Sequence, residues 1–363
     1  MRTVKCTLLI FFTLRFFACT SVQETFVPSP QNQTSTAAYT TQPTSTPYMR
    51  PTETTKTQIT PTPSATQGLL DQLSSGTYIA YAGNEGSGFN SIPSIHILSL
   101  DGQDIGILAT NIPGNATISP DGQKIAYINF TAPGFSNLTV FDLKTYQYNS
   151  FYISGCFMAS NTTAWSPDSI HIAVSCGDFI SIADITDITG EVARISSSLA
   201  LANGKDYEIW DPAWSFDGHY LSFYISNPND AHDSSAHGPY LTDPRCPGNA
   251  TECQITPYEL RVTDLSMSKW TPDNLLAVAQ ENHINLFDPV GKKLVGSIAI
   301  PVDTPILSFA WSPDNQWIAY SVASQNPNTL AEEIYIISHF GGKPILLSDN
   351  ADDVMFWFQV SNR

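Results

Sequence analysis

A five-residue phrase recurs along this chain: ISPDG at 118–122, WSPDS at 165–169, WSFDG at 214–218, WTPDN at 270–274 and WSPDN at 311–315. An apolar run follows each copy, reading IAYI, IAVS, LSFY, LAVA and IAYS, so the repeated unit is a whole supersecondary element. Self-similarity at a period of roughly 40 to 50 residues, with only β-type segments inside it, specifies propeller blades. The phrase reads as a turn between two antiparallel strands. Its proline presets φ at the second turn position and its Asp carboxylate accepts from nearby amides. Gly or Asn then tolerates the left-handed conformation that closes a short hairpin. The aromatic in front (Trp165, Trp214, Trp270, Trp311) ends the preceding strand, where a large flat side chain fills the wedge between neighbouring sheets.

Each unit holds four strands, A to D. After the phrase at 311, residues 316–322 read as strand B, 332–338 as C and 343–348 as D beyond a Gly-Gly turn. The chain's two ends complete the count. Residues 77–82, 94–100 and 105–109 form B, C and D of a blade with no leading strand, while 353–358 form a leading strand with no blade. Trp357 lies 46 residues after Trp311, on the repeat spacing. The expected fold is therefore all-β: a six-bladed β-propeller with four-stranded blades, its ring closed by the C-terminal strand joining the N-terminal blade and leaving no free inner edge. The unit from Trp214 to Trp270 is long, and its strands C and D are expected at 238–243 and near 255–263.

These residues resemble the TolB-type propeller repeat, a W-S-P-D-G turn followed two positions later by I-A-Y or I-A-F. The resemblance covers nearly all of residues 77–362. It implies a propeller and partner binding near a cell envelope, and it names no partner, because related blades serve several functions.

Residues 1–18 carry Arg2 and Lys5 and then an apolar run too short to span a bilayer, the shape of a secretion signal. Cys19 follows a small residue and resembles a bacterial lipoprotein processing site, where it would become the acylated first residue. Cleaved secretion with a free Cys19 is the other reading. Residues 19–75 are a Ser/Thr/Pro-rich stalk, which cannot bury apolar surface, and residues 76–363 are the propeller. Removing residues 1–18 takes the net charge from −17 to −20. A chain this anionic is not expected to bind nucleic acid, and it should meet a membrane only through its N-terminal anchor.

An exported protein favours paired cysteines. Cys156 and Cys176 flank strands A and B of one blade, where antiparallel pairing about the turn brings their ends together. Cys246 and Cys253 bracket an eight-residue loop that suits a local staple. No metal and no cofactor are expected, since neither CxxC nor regular His spacing occurs.

The D-to-A and B-to-C connections share one face of a propeller. Here they are the long and variable ones, at 83–93, 227–237 and 323–332, which makes that face the expected working surface. Asp230, His232, Asp233 and His237 in the second loop are the sharpest polar constellation and the candidate binding residues. No G-x-S-x-G, HExxH or phosphate-cradling loop is present, so no catalytic residue is assigned. The expected function is that of a noncatalytic, extracytoplasmic, monomeric propeller lipoprotein binding a protein, peptide or glycan at the envelope. The alternative is a carbohydrate-active lyase or hydrolase using the central funnel.

Overall fold

The computed structural model describes residues 64–65, 69–85, 92–113, 116–132, 135–156, 162–187, 191–196, 208–226, 238–243, 256–257, 268–324, 331–351 and 353–360. All of them lie in one compact unit, Ile59–Arg363.

The strands group into six antiparallel sheets. Blade 1 contains β1 (Ser64–Ala65), β2 (Gly76–Glu85), β3 (Ile92–Leu98) and β4 (Asp104–Thr110), with β25 (Asp353–Val360) as its inner strand. Blade 2 runs β5 (Thr117–Ile118), β6 (Lys124–Ala132), β7 (Phe135–Asp142) and β8 (Tyr148–Tyr152). Blade 3 runs β9 (Thr163–Trp165), β10 (His171–Ser175), β11 (Phe179–Asp184) and β12 (Glu191–Ser196). Blade 4 holds β13 (Glu208–Trp214), β14 (Leu221–Ser226), β15 (Gly238–Thr242) and β16 (Thr256–Pro257). Blade 5 holds β17 (Ser268–Trp270), β18 (Leu276–Gln280), β19 (His283–Asp288) and β20 (Lys293–Ala299). Blade 6 holds β21 (Ile306–Trp311), β22 (Trp317–Ala323), β23 (Glu332–Ser338) and β24 (Ile345–Ala351).

The ring is closed as the repeat count requires. Each inner strand touches the next, from β5 through β9, β13, β17 and β21 to β25, and β25 touches β5. Within blade 1, β25 pairs antiparallel with β2 from Gly76 opposite Val360 to Ala82 opposite Asp353. The first and last strands of the propeller are thus zipped together.

Six apolar clusters occupy the six seams between blades. The B strands meet a neighbour on both faces, which is why IAYI or IAVS reads as an unbroken apolar run instead of an alternation. In β10, for instance, Ile172, Ala173, Val174 and Ser175 are all fully buried. Each tryptophan ending an inner strand packs in the seam toward the preceding blade, and its polar edge has a specific partner. Trp165 Nε1 donates to the Thr117 carbonyl at 3.2 Å, Trp214 Nε1 to Ala164 at 3.1 Å and Trp270 Nε1 to Ala213 at 3.1 Å. Trp357 Nε1 donates to Ala310 at 2.9 Å. In every case the acceptor lies one position before the tryptophan site of the neighbouring blade. Two seams lack this bond. Ile118 stands where blade 2 would carry Trp, and Trp311 Nε1 turns to its own turn residue, Asn315 Oδ1, at 2.6 Å.

The turn phrase closes as its chemistry predicts. Ser215 Oγ donates to Asp217 Oδ1 at 2.7 Å and Ser312 Oγ to Asp314 Oδ1 at 2.7 Å; Ser166 and Asp168 pair in the same way. The fourth turn residue is left-handed throughout: Gly122 (φ 68), Ser169 (60), Gly218 (70), Asn274 (62) and Asn315 (59). At Asp168, burial opposes ionisation, but the Ser166 hydroxyl, the Ile170 and His171 amides and the His171 ring together hold the carboxyl at about 2. The turns also bind one another. Asp121 N donates to Ser169 Oγ at 3.2 Å and Asp217 N to Asn274 Oδ1 at 3.1 Å, linking blades 2 to 3 and 4 to 5.

One expected feature is present, and two others depart from the sequence reading. The bond between Cys156 and Cys176 is present, with Cα atoms 4.7 Å apart. The outer strand of the long blade 4 is only Thr256–Pro257 among the described residues, shorter than the expected 255–263. Residues 64–65 and 69–72, read from composition as the end of the stalk, are held on blade 1: β1 pairs with β4, and Leu69 and Leu70 of the helical turn α1 (Leu69–Gln72) pack with Leu73 on the seam between blades 1 and 2. The leucines, in a short stretch free of proline, supply the apolar surface that the rest of the stalk lacks.

Two outcomes test this account. Deleting residues 353–363 removes the inner strand of blade 1 and uncovers the seams filled by Trp357 and Phe358, so the truncated chain should lose cooperative unfolding in urea. Replacing Trp270 by Phe keeps an aromatic ring but removes the indole's bonds to the Ala213 carbonyl and Ser222 Oγ, which keep their bond to each other at 3.3 Å; a loss of about 1 to 3 kcal/mol is expected from the urea midpoint. Trp311→Phe, whose indole bonds only within its own blade, should cost less.

Candidate functional site

Each inner strand begins at the face carrying the D-to-A and B-to-C connections and ends at the turn phrase on the opposite face. The side chains of residues early in these strands therefore sit around the central channel, toward the long-connection face. A belt of polar contacts crosses four blades there. Thr117 and Thr163 hydroxyls meet at 2.8 Å, Thr162 Oγ1 accepts from the Asp211 amide at 3.0 Å, and Lys269 Nζ donates to Asp211 Oδ1 at 3.3 Å.

Asp211 is the unusual member. The register of β13 against β14 shifts between Trp210 and Ala213, so Asp211 and Pro212 form a bulge, and Asp211 has φ 50. Left-handed backbone at a non-glycine residue costs on the order of 1 kcal/mol, less for Asp than for most. The side chain is only 15% exposed, and its Oδ2 is buried with no hydrogen-bond partner among the described residues. Lys269 satisfies one oxygen and leaves the other facing no donor. A bulge that re-aims one side chain, bent backbone and an unfilled acceptor together describe a group positioned to take a hydrogen from something else.

A second polar cluster stands at the root of the first long loop. His96 Nε2 lies 3.0 Å from Ser94 Oγ and 3.0 Å from Glu85 Oε1, and its Nδ1 lies 3.4 Å from Asp104 Oδ2. Tyr81 stacks on the imidazole at 5.0 Å and donates to Asp104 at 3.1 Å. Burial first, and then the Asp104 carboxylate, hold the Tyr81 hydroxyl well above the usual tyrosine range. The order Ser, His, Asp resembles a nucleophilic triad, yet Ser94 is 1% exposed and Glu85 shares its nitrogen. A hydroxyl so enclosed cannot reach a substrate, and the cluster instead ties β2, β3 and β4 together.

On the opposite face, between the turns of blades 3 and 4, a cleft of about 580 Å³ is lined by Asp168, His171, Asp217 and His219 over Val192 and Trp214. Both imidazoles are held through Nδ1, His171 by Asp168 at 2.7 Å and His219 by Asp217 at 3.1 Å. These carboxylates also close their own turns, so the cleft is part of the framework. Among the described residues, no group of three or more His, Cys, Asp or Glu side chains is arranged to hold a metal ion.

The sequence-predicted site residues Asp230, His232, Asp233 and His237 lie outside the described residues, as do Cys19, Cys246 and Cys253. Sequence reasoning missed Asp211 and His96. A signal for the first existed: EIWDPAW places an Asp-Pro pair inside an inner strand, and proline within a strand marks a bulge. His96 carries no such mark, because its partners come from three strands.

No protein-family model matches the chain, and no curated protein sequence matches it either. Among solved structures, the chain is similar to a putative TolB from Agrobacterium tumefaciens, at 13% identity and a TM-score of 0.50, covering 79% of this chain and 98% of that one. It is also similar to TolB from Acinetobacter baumannii, at 16% identity and a TM-score of 0.45, covering 76% and 70%. In fold, the protein is a TolB-like six-bladed β-propeller.

The state of Asp211 has a measurable consequence. A buried carboxylate with one unfilled oxygen contributes little to stability, so Asp211→Asn should leave the free energy of unfolding within about 1 kcal/mol of the parent, or raise it. Denaturation in urea checks this; a loss of more than 3 kcal/mol would make Asp211 a structural keystone instead.

Proposed function

We propose that this protein is a noncatalytic, extracytoplasmic binding propeller that recognises a protein, peptide or glycan on its long-connection face, with an acyl chain on Cys19 holding it at the cell envelope. The observation that carries the reading is Asp211 Oδ2, a buried acceptor without a donor among the described residues, aimed from a strained bulge beside the central channel. An amide, hydroxyl or amine of a bound partner would supply the missing hydrogen. The Cys156–Cys176 bond supports an oxidising compartment, and the low basic content leaves no broad field for nucleic acid. Division of labour between the faces supports the same reading. The turn face is repetitive and its polar groups are consumed in holding the ring, whereas the other face carries the variable loops.

The experiment is capture from envelope extracts with the full chain, followed by affinity measurement for the partner recovered. Asp211→Asn, and separately replacement of residues 227–237 by a short Gly-Ser loop, should each weaken binding at least tenfold without lowering the melting temperature. Undiminished affinity in both variants removes the site from this face. Turnover of a glycan or peptide by the purified protein, abolished in Asp211→Asn, would replace recognition with catalysis. Mass spectrometry of the mature N-terminus tests the anchor, for which a diacylated or triacylated Cys19 is expected.

A further inference from the structure

The chain as a whole is strongly acidic, but half of the large apolar side chains exposed among the described residues are gathered in one place, together with three exposed lysines. Of the twelve large apolar side chains exposed among the described residues, six belong to the outer rim of the adjacent blades 5 and 6: Val290, Leu294, Val295, Phe340, Ile345 and Leu346. The two most exposed, Val290 at 76% and Phe340 at 84%, occupy the hairpin turns between strands C and D of these blades. Each turn also carries lysine, Lys292 and Lys293 in blade 5 and Lys343 in blade 6, all exposed.

Lys144, in the C-to-D turn of blade 2, is likewise exposed and in no ion pair among the described residues, whereas the remaining described cations are engaged. Lys124 pairs with Asp121, Lys269 pairs with Asp211, and Arg194 donates to the Ser154 carbonyl while lying over Phe179. No ion pair engages Lys292, Lys293 or Lys343 among the described residues. The nearest carboxylate in sequence, Asp288, accepts from the Val290 amide and so shapes the turn. Asp273 and Asp314, on the same face but at the inner A-to-B turns, accept from their own Thr271 and Ser312 hydroxyls. Asp101, Asp142 and Asp184 cap the C-to-D turns of blades 1 to 3 in a similar way, but those turns expose no large apolar side chain among the described residues. Among the described turns, an exposed apolar tip flanked by lysine is therefore a property of blades 5 and 6 and not of the repeat.

We propose that the C-to-D hairpins of blades 5 and 6 dock on an anionic lipid bilayer, with Val290 and Phe340 entering the headgroup layer and Lys292, Lys293 and Lys343 meeting its negative charge. Apolar tips ringed by lysine match the boundary between acyl chains and anionic headgroups. The acidic total favours membrane contact through the N-terminal anchor alone, but charges beyond a Debye length of about 8 Å are screened, so the rim's own charge governs its contact with the surface. Such a contact would orient a tethered propeller, and it does not depend on the binding site proposed above.

The test uses the full chain with Cys19→Ser, so that no acyl chain contributes, in flotation with vesicles of phosphatidylcholine alone or containing a third phosphatidylglycerol. Binding is expected to the anionic vesicles only and to fall at least tenfold in 0.5 M salt. It should fall equally in Val290→Asp with Phe340→Asp, and in the triple Lys→Glu variant, all with unchanged melting temperature. A Phe340→Trp variant should add an emission component that shifts to the blue on anionic vesicles. Absence of binding, or binding untouched by these substitutions, overturns the proposal. So does self-association in sedimentation that the same substitutions abolish, since it would assign the rim to a second copy of the chain.

Discussion

The structure depends on a hydrogen bond that crosses from blade to blade. An indole N–H at the end of one inner strand donates to the carbonyl preceding the equivalent position in the neighbouring strand, at the seams of blades 2 and 3, 3 and 4, 4 and 5, and 6 and 1. Three of the inner strands are short, two residues in β5 and three in β9 and β17, and a sheet edge of that length offers little cohesion. Tryptophan fills the wedge and satisfies a carbonyl that would otherwise face apolar neighbours. At the seam of blades 1 and 2, where Ile118 replaces it, Tyr78 and Phe358 supply the missing aromatic bulk, and Gly122 approaches Phe358 within 3.5 Å of where a Cβ would stand.

Because the ring is held by these bonds and by the turn phrase, the two faces carry different burdens. The turn face is committed: Ser, Asp and the left-handed fourth residue are engaged in each copy, and some reach the next blade. Substituting there perturbs the ring. Among the described residues, the other face shows no repeated bonding pattern, which leaves it free for loops of any length and for the departure at Asp211. A bulge in β13 is tolerable because β14 continues to pair on both sides of it.

The repeat phrase carried most of the fold. It located five turns, and its missing partner strand pointed to β25, whose pairing with β2 follows from the half-blades at the two ends of the chain. Cys156 and Cys176 were legible for the same reason, since strand order brings them to one end of a hairpin. The reading was weaker where local signals were mixed. Composition assigned Ser64 and Ala65 to the stalk, because a two-residue strand on an outer edge leaves no periodicity to detect.

Sequence patterning could specify the blade count, the turn chemistry, the closure and the acidic total, because each arises from contacts between residues near in sequence or repeated at a constant interval. It could not specify which polar groups end up unsatisfied. That Asp211 meets Lys269 and Thr162 while its second oxygen meets no donor among the described residues results from three blades converging around the channel. That His96 is enclosed by Ser94, Glu85 and Asp104 results from strand register. Hydrogen-bond satisfaction and burial are properties of the neighbourhood a residue is delivered to, and neighbourhoods assembled from strands far apart in the chain exist only once the ring has closed.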